Sequence, residues 1–164
     1  MTKTRQKWAY FLALISISLV LGPSFAHLLE LPNKIGLSEE RYFIVQGIYR
    51  GWALLAVVVV ASLVTTLTLA ILLRKQRVPM LWAVFALVCI VGAQILFWIY
   101  TFPANQATNN WTEVPPNWEM LRSQWEYSHA AAALLNLTAM VALILSVLSW
   151  GVGNREANRD ADEG

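Results

Sequence analysis

The sequence predicts an all-α membrane protein, a four-transmembrane-helix bundle with an outer loop helix leading into the fourth span. Three observations predict it. The 164 residues are 57% hydrophobic and only 13% charged, with a formal net charge of +2. A water-soluble domain would carry nearly twice that charge density. The stretches 8–29, 51–73, 78–102 and 127–154 contain no Asp, Glu, Lys or Arg, and each reaches or passes the roughly 20 residues that a helix needs to cross about 30 Å of hydrocarbon. Lipid cannot hydrogen-bond the backbone, and four strands could not close a barrel, which leaves helix as the state of these runs. An extramembrane globular enzyme is thereby excluded. The basic residues fall in small groups at the ends of the apolar runs rather than in a stripe, so no nucleic-acid partner is expected.

Span one is expected over 8–30, kinked at Pro23. Its basic start, the apolar run Trp8 to Leu21 and Ser24-Phe25-Ala26 imitate a signal peptide, but His27 and Glu30 fit better as the end of a retained helix. Span two is expected over 51–73, where Ser62, Thr65, Thr66 and Thr68 suit close packing. Span three, 78–102, is bounded by Pro79 and Pro103. Span four, 125–150, follows a helix that starts after Pro115-Pro116 with Asn117 as its cap. Residues 1–153 thus form one transmembrane domain, and the polar residues 154–164 are expected to be a disordered cytoplasmic tail. Cys89 is alone, so no intrachain disulfide or cysteine metal cluster can form. Gln94 and Asn136 lie deep in spans three and four, placed either for a structural interhelical hydrogen bond to each other or for a ligand contact.

Orientation follows from the basic residues. Lys3, Arg5, Lys7, Arg74, Lys75, Arg77, Arg155 and Arg159 fall on one side, against Lys34, Arg41, Arg50 and Arg122 on the other. The positive-inside rule then predicts a multi-pass cell-membrane protein with both termini cytoplasmic and the loops 31–50 and 103–124 outside.

The chemistry gathers at the outer ends of spans one and four. His27-Leu28-Leu29-Glu30 and Glu126-Tyr127-Ser128-His129 are reversed copies, and three-residue spacing puts imidazole and carboxylate on one helical face in each. His27 lies about 29 Å along span one from Trp8, and His129 about 32 Å along span four from Trp150, so their depths agree. If the two helices pack together, two imidazoles and two carboxylates converge.

That set, His27, Glu30, Glu126 and His129, suits a metal such as iron or copper; the histidines alone suit haem ligation or metal-free proton transfer. Interface pairs with no chemistry are the plain alternative. Spans two and three offer no further carboxylates for a di-iron centre. Trp118, Arg122, Trp125 and His129 share an arc of about 60° on the helix entering span four. With Trp111, this stripe suits a hydrophobic planar small molecule, phenolic or quinone-like, and it suits headgroup contact equally. Arg122 and Glu126 are spaced for a simple surface ion pair. No phosphate loop, nucleophile elbow or Cys-x-x-Cys is present.

Gly22-Pro23-Ser24-Phe25-Ala26-His27 through Leu31-Pro32, Phe102-Pro103-Ala104-Asn105, Asn110-Trp111-Thr112, Pro115-Pro116-Asn117-Trp118, Leu121-Arg122 and Trp125-Glu126-Tyr127-Ser128-His129 resemble the anthrone oxygenase-like integral membrane family. The resemblance covers nearly the whole chain. It implies a four-helix membrane protein, some of whose fungal relatives oxidise anthrones to anthraquinones without a recognised cofactor. The family's recurring Asn, Arg, Trp and His positions fall on Asn105, Arg122, Trp125 and His129, whereas Ala130 to Ala133 depart from members that carry a further basic residue there.

The resulting expectation is an oxidoreductase or monooxygenase with an outward-facing pocket between spans one and four. His129 takes the substrate proton, Glu126 orients it, Arg122 stabilises the anion, and Asn105 hydrogen-bonds oxygen or carbonyl. Trp111, Trp118 and Trp125 hold the substrate. The competing expectation is a non-enzymatic membrane subunit or a small-molecule or haem binder. The sequence leaves the oligomeric state open.

Overall fold

The computed structural model describes residues 2–162, with side chains over 3–152. The chain folds into α1 (Thr2–Lys34), α2 (Glu39–Gln46), α3 (Leu55–Leu72), α4 (Arg77–Leu96), α5 (Phe102–Ala107) and α6 (Trp118–Asp162). Short 3₁₀ turns at Gly47–Tyr49 and Trp52–Leu54 link α2 to α3, and the described residues contain no strand. Four helical stretches are long and apolar enough to cross a bilayer. The protein is therefore an all-α, multi-pass membrane protein of four spans. The backbone of α6 runs on beyond Trp150 to Asp162; the side chains of the expected tail lie outside the described residues.

The four spans form a closed ring in which α1 packs against α3 and α6, and α4 packs against α3 and α6. Small and branched side chains let them approach: Ala13, Ile17, Leu69, Ala83, Ala86, Ile90, Ala139 and Leu143 are all fully enclosed. Large apolar residues such as Phe11, Leu19, Val57, Val88 and Ile144 point outward, as expected for lipid-facing surfaces. Near the chain termini a polar lock joins the same helices. The Tyr10 hydroxyl lies 2.9 Å from Ser146 Oγ, Ser146 Oγ donates to the Pro79 carbonyl at 2.7 Å, and Gln6 donates to the Leu72 carbonyl at 3.0 Å.

Several sequence expectations are corrected. Span one does not end at Glu30 but continues to Lys34 as the single helix α1, with Pro23 and Pro32 both inside it. Just after Pro23, Ser24 Oγ bonds back to the Val20 carbonyl at 2.9 Å. Asn136 Nδ2 donates to that same Ser24 hydroxyl at 3.0 Å, so the deep partner of Asn136 is on α1 and is not Gln94. Span three does not stop before Pro103. It passes through a π-helical turn, Phe97–Thr101, in which the Phe102 N–H reaches the Phe97 carbonyl, and continues as α5. Finally, the segment 31–50 is not a plain loop, because α1 extends to Lys34 and α2 follows after Ser38.

Candidate functional site

The antiparallel packing of α1 on α6 decides the site. At the distal end of the bundle, away from the termini, the His27 and His129 rings stand 4.3 Å apart at 30°. Spans one and four are thus neighbours and their histidines share one level. The Trp125 indole touches both imidazoles, with centroids 5.1 Å from His27 and 4.2 Å from His129. Tyr49 and Trp52, from the segment between α2 and α3, close the other side of His27 at 4.7 and 5.6 Å.

Glu30 stands beside His27 as the spacing predicts, its Oε2 3.9 Å from Nδ1, but Glu126 pairs differently from the sequence expectation. Glu126 is fully enclosed, at 0% exposure, and binds neither His129 nor Arg122 among its hydrogen bonds and ion pairs. Its Oε1 takes the Lys34 ammonium at 3.0 Å and the Tyr42 hydroxyl at 2.9 Å. Lys34, itself only 4% exposed, also donates to Tyr49 Oη at 2.8 Å and lies 3.7 Å from Glu30 Oε2. Tyr49 donates to Glu30 Oε2, and Gln46 donates to Tyr42. The outcome is a chain of contacts, Glu30–Tyr49–Lys34–Glu126–Tyr42–Gln46, that ties α1, α2 and α6 together. A buried carboxylate gains more from a full ammonium charge than from a neutral imidazole on its own helix, which is why Lys34 displaces the i,i+3 partner.

The ammonium is caged by aromatic faces as well, 4.5 Å from the Tyr49 ring centre, 4.7 Å from Trp125 and 5.8 Å from Tyr42. Burial pushes the Tyr42 hydroxyl well above the ordinary tyrosine range, and the charge of Glu126 and the hydrogen bond to it push further. Burial and the bond to Glu30 do the same to Tyr49. Both phenols therefore remain protonated donors to their carboxylates.

Arg122 serves the loop. Its guanidinium donates to the Leu37 carbonyl at 2.7 Å and stacks over Trp118 at 4.6 Å and Tyr42 at 5.6 Å. Asn105 holds tryptophans, because its Oδ1 accepts from Trp111 Nε1 at 3.0 Å and from Trp125 Nε1 at 2.9 Å. Trp111 is placed for this by a left-handed turn, with φ of 47°, 55° and 63° at Asn109, Asn110 and Trp111. Such a conformation costs on the order of 1 kcal/mol or more per non-glycine residue. The Trp111 N–H bond to Thr108 Oγ1 at 3.1 Å and packing against Tyr42 and Phe43 offset it.

His129, His27, Glu126, Trp125 and Glu30 are thus brought together, with Asn105, Arg122, Trp111 and Trp118 forming the roof over Tyr42. The four expected metal ligands do not make one ligand set: Lys34 stands between the two carboxylates, and among the described residues no three His, Cys, Asp or Glu side chains are grouped to hold an ion. Trp125, Tyr49 and Trp52 pack against the His27 ring. Lys34, Tyr42, Tyr49 and Gln46 were missed in the sequence. The i,i+4 spacing of Glu30 and Lys34, with Ser38-Glu39-Glu40 as a helix start, is the signal that could have found them. No protein-family model, curated protein or solved structure matches this chain.

Proposed function

We propose that this chain is a membrane oxidoreductase of the anthrone oxygenase-like kind, acting on a planar phenol-, enol- or quinol-type molecule beside the imidazole pair. The termini lie in the cytoplasm and the site faces outward. The observation that carries this reading is the contact between His27 and His129, two bases from different spans walled by Trp125, Tyr49 and Trp52. A bound ring takes the place beside His27 that Tyr49 and Trp52 now fill.

An unprotonated imidazole of the pair, His129 foremost, removes the acidic proton of the substrate. Lys34 and Arg122 are the cations on hand for the resulting anion, while Asn105 acts through the indoles of Trp111 and Trp125. The electron-rich anion then reduces dioxygen. For an anthrone-type methylene the balance is one CH₂ and one O₂ giving one carbonyl and one water: one oxygen atom enters the product and the other leaves with both hydrogens.

The purified protein in detergent, given an anthrone under air, is expected to consume oxygen and form the quinone in equal amounts. His129→Ala and His27→Ala are expected to lower the rate by about 10²-fold or more, and rates equal to the parent would remove the imidazoles as bases. A second reading, a binding protein or subunit without turnover, is favoured by the mutual pairing of Lys34, Glu30, Glu126, Tyr42 and Tyr49. Ligand binding without oxygen uptake would select it, and a haem absorption band or stoichiometric iron or copper would select a metal-bearing site.

A further inference from the structure

We infer that Glu30 is the port through which the enclosed His27 imidazole exchanges protons with water, and that Tyr49 governs this port. The inference rests on the acid–base reading above and extends it by saying where the proton goes. Among the described residues one imidazole nitrogen is both fully buried and without a hydrogen-bond partner. His27 Nδ1 is buried without a hydrogen bond, and 3.9 Å away stands Glu30 Oε2. That gap is just beyond hydrogen-bond reach, so a small side-chain movement closes it.

The groups that face His27 differ sharply in their access to water. On α1 these are Glu30 and, through its charge, Lys34; from the α2–α3 segment, Tyr49 and Trp52; from α6, Trp125 and His129, with Glu126 behind Lys34. Lys34 and Glu126 are enclosed, and each is held by the other. Only Glu30 among the acids combines proximity to the imidazole with real exposure, its side chain being 34% accessible against 6% for His27. It is therefore the group able to take a proton from Nδ1 and release it at the distal surface.

In the other direction the route is closed. One turn below His27 lies the Ser24–Asn136 pair. Below that the α1–α6 contact is apolar, with Ala13, Ile17, Ala139, Ala142 and Leu143 enclosed, as far as Tyr10 and Ser146. From Ser24 to Tyr10 is about 21 Å of helix at 1.5 Å per residue.

Tyr49 donates to the same oxygen, Glu30 Oε2, that faces His27 Nδ1. Phenol and imidazole thus compete for one acceptor. Removing the phenol frees the port, and removing the carboxylate closes it, which is a pair of opposite effects that loss of packing would not produce.

The chain has only two histidines, so ¹⁵N-histidine labelling of the full-length protein in detergent gives one set of ring signals for each. The rate of proton exchange at the His27 imidazole is the readout, and no substrate is needed. Relative to the parent, E30Q is expected to slow exchange about tenfold or more, E30D to stay within about threefold, and Y49F to match or exceed the parent. Because Glu30 is partly exposed, E30Q keeps the fold, which the signal dispersion of both histidines verifies. Exchange in E30Q within about twofold of the parent, or Y49F slowing as much as E30Q, would overturn the assignment. That outcome is separate from failure of the oxygenase reading, which is judged by oxygen uptake alone.

Discussion

Replacing Lys34 with methionine probes the cluster most sharply. Lys34 and Glu126 lie 3.0 Å apart at 4% and 0% exposure. At an effective dielectric of about 20, their attraction is about 5 kcal/mol. Loss of the ammonium leaves Glu126 enclosed with only the Tyr42 hydroxyl on Oε1 and with Oε2 already unpartnered. Breaking a buried pair from one side costs about 3–5 kcal/mol, mainly through the stranded charge. Glu126→Gln alone strands the ammonium, although Glu30 and Tyr49 still hold it, so its cost is smaller, about 2–3 kcal/mol. The double variant carries neither charge and is expected to recover about 2 kcal/mol or more relative to the sum of the singles. Reversible unfolding of the four proteins in detergent measures this cycle. A loss below about 1 kcal/mol in K34M, or additive singles, would refute the claim that this buried pair holds α1 to α6.

Two further outcomes follow from the same geometry. The raised tyrosine ionisations of Tyr42 and Tyr49 mean that their stabilising contribution is complete below the ordinary tyrosine value of about 10 and is lost as pH climbs above it. Thermal stability in detergent should therefore fall above about pH 10, and less steeply in a Y42F/Y49F double variant. Asn105→Asp keeps an oxygen between the two indoles and should retain both downfield indole N–H resonances. Asn105→Leu should lose both resonances and about 2 kcal/mol or more, since two buried donors are left unpaired.

The helices were legible because each span is a long uncharged run, and the meeting of His27 and His129 was legible because mirrored spacing and equal depth are properties of helical rise alone. Partner choice was not legible. Glu126 lies three residues from His129 and four from Arg122, yet it binds Lys34 and Tyr42, which are remote in sequence. Spacing ranks only neighbours on one helix, whereas a buried carboxylate selects the strongest donor that folding brings within reach. Placing the end of span one at Glu30 left Lys34 in the outer loop 31–50, although α1 continues for one more turn and Lys34 is buried. The indole bonds of Asn105 were not legible for a related reason, since nothing in the sequence shows that Trp111 turns back through a left-handed segment to share its oxygen with Trp125.

The claim on which the functional account turns is that the paired imidazoles take a proton from a planar phenol. A chromogenic nitrophenol, whose anion and neutral form absorb at different wavelengths, reads this without turnover. Titrated into the parent protein a little below the phenol's own pKa, it should bind with the spectrum of the anion, and H27A/H129A should abolish that spectral change. Binding of the neutral phenol by the parent, or an undiminished anion signal in the double variant, would contradict the account.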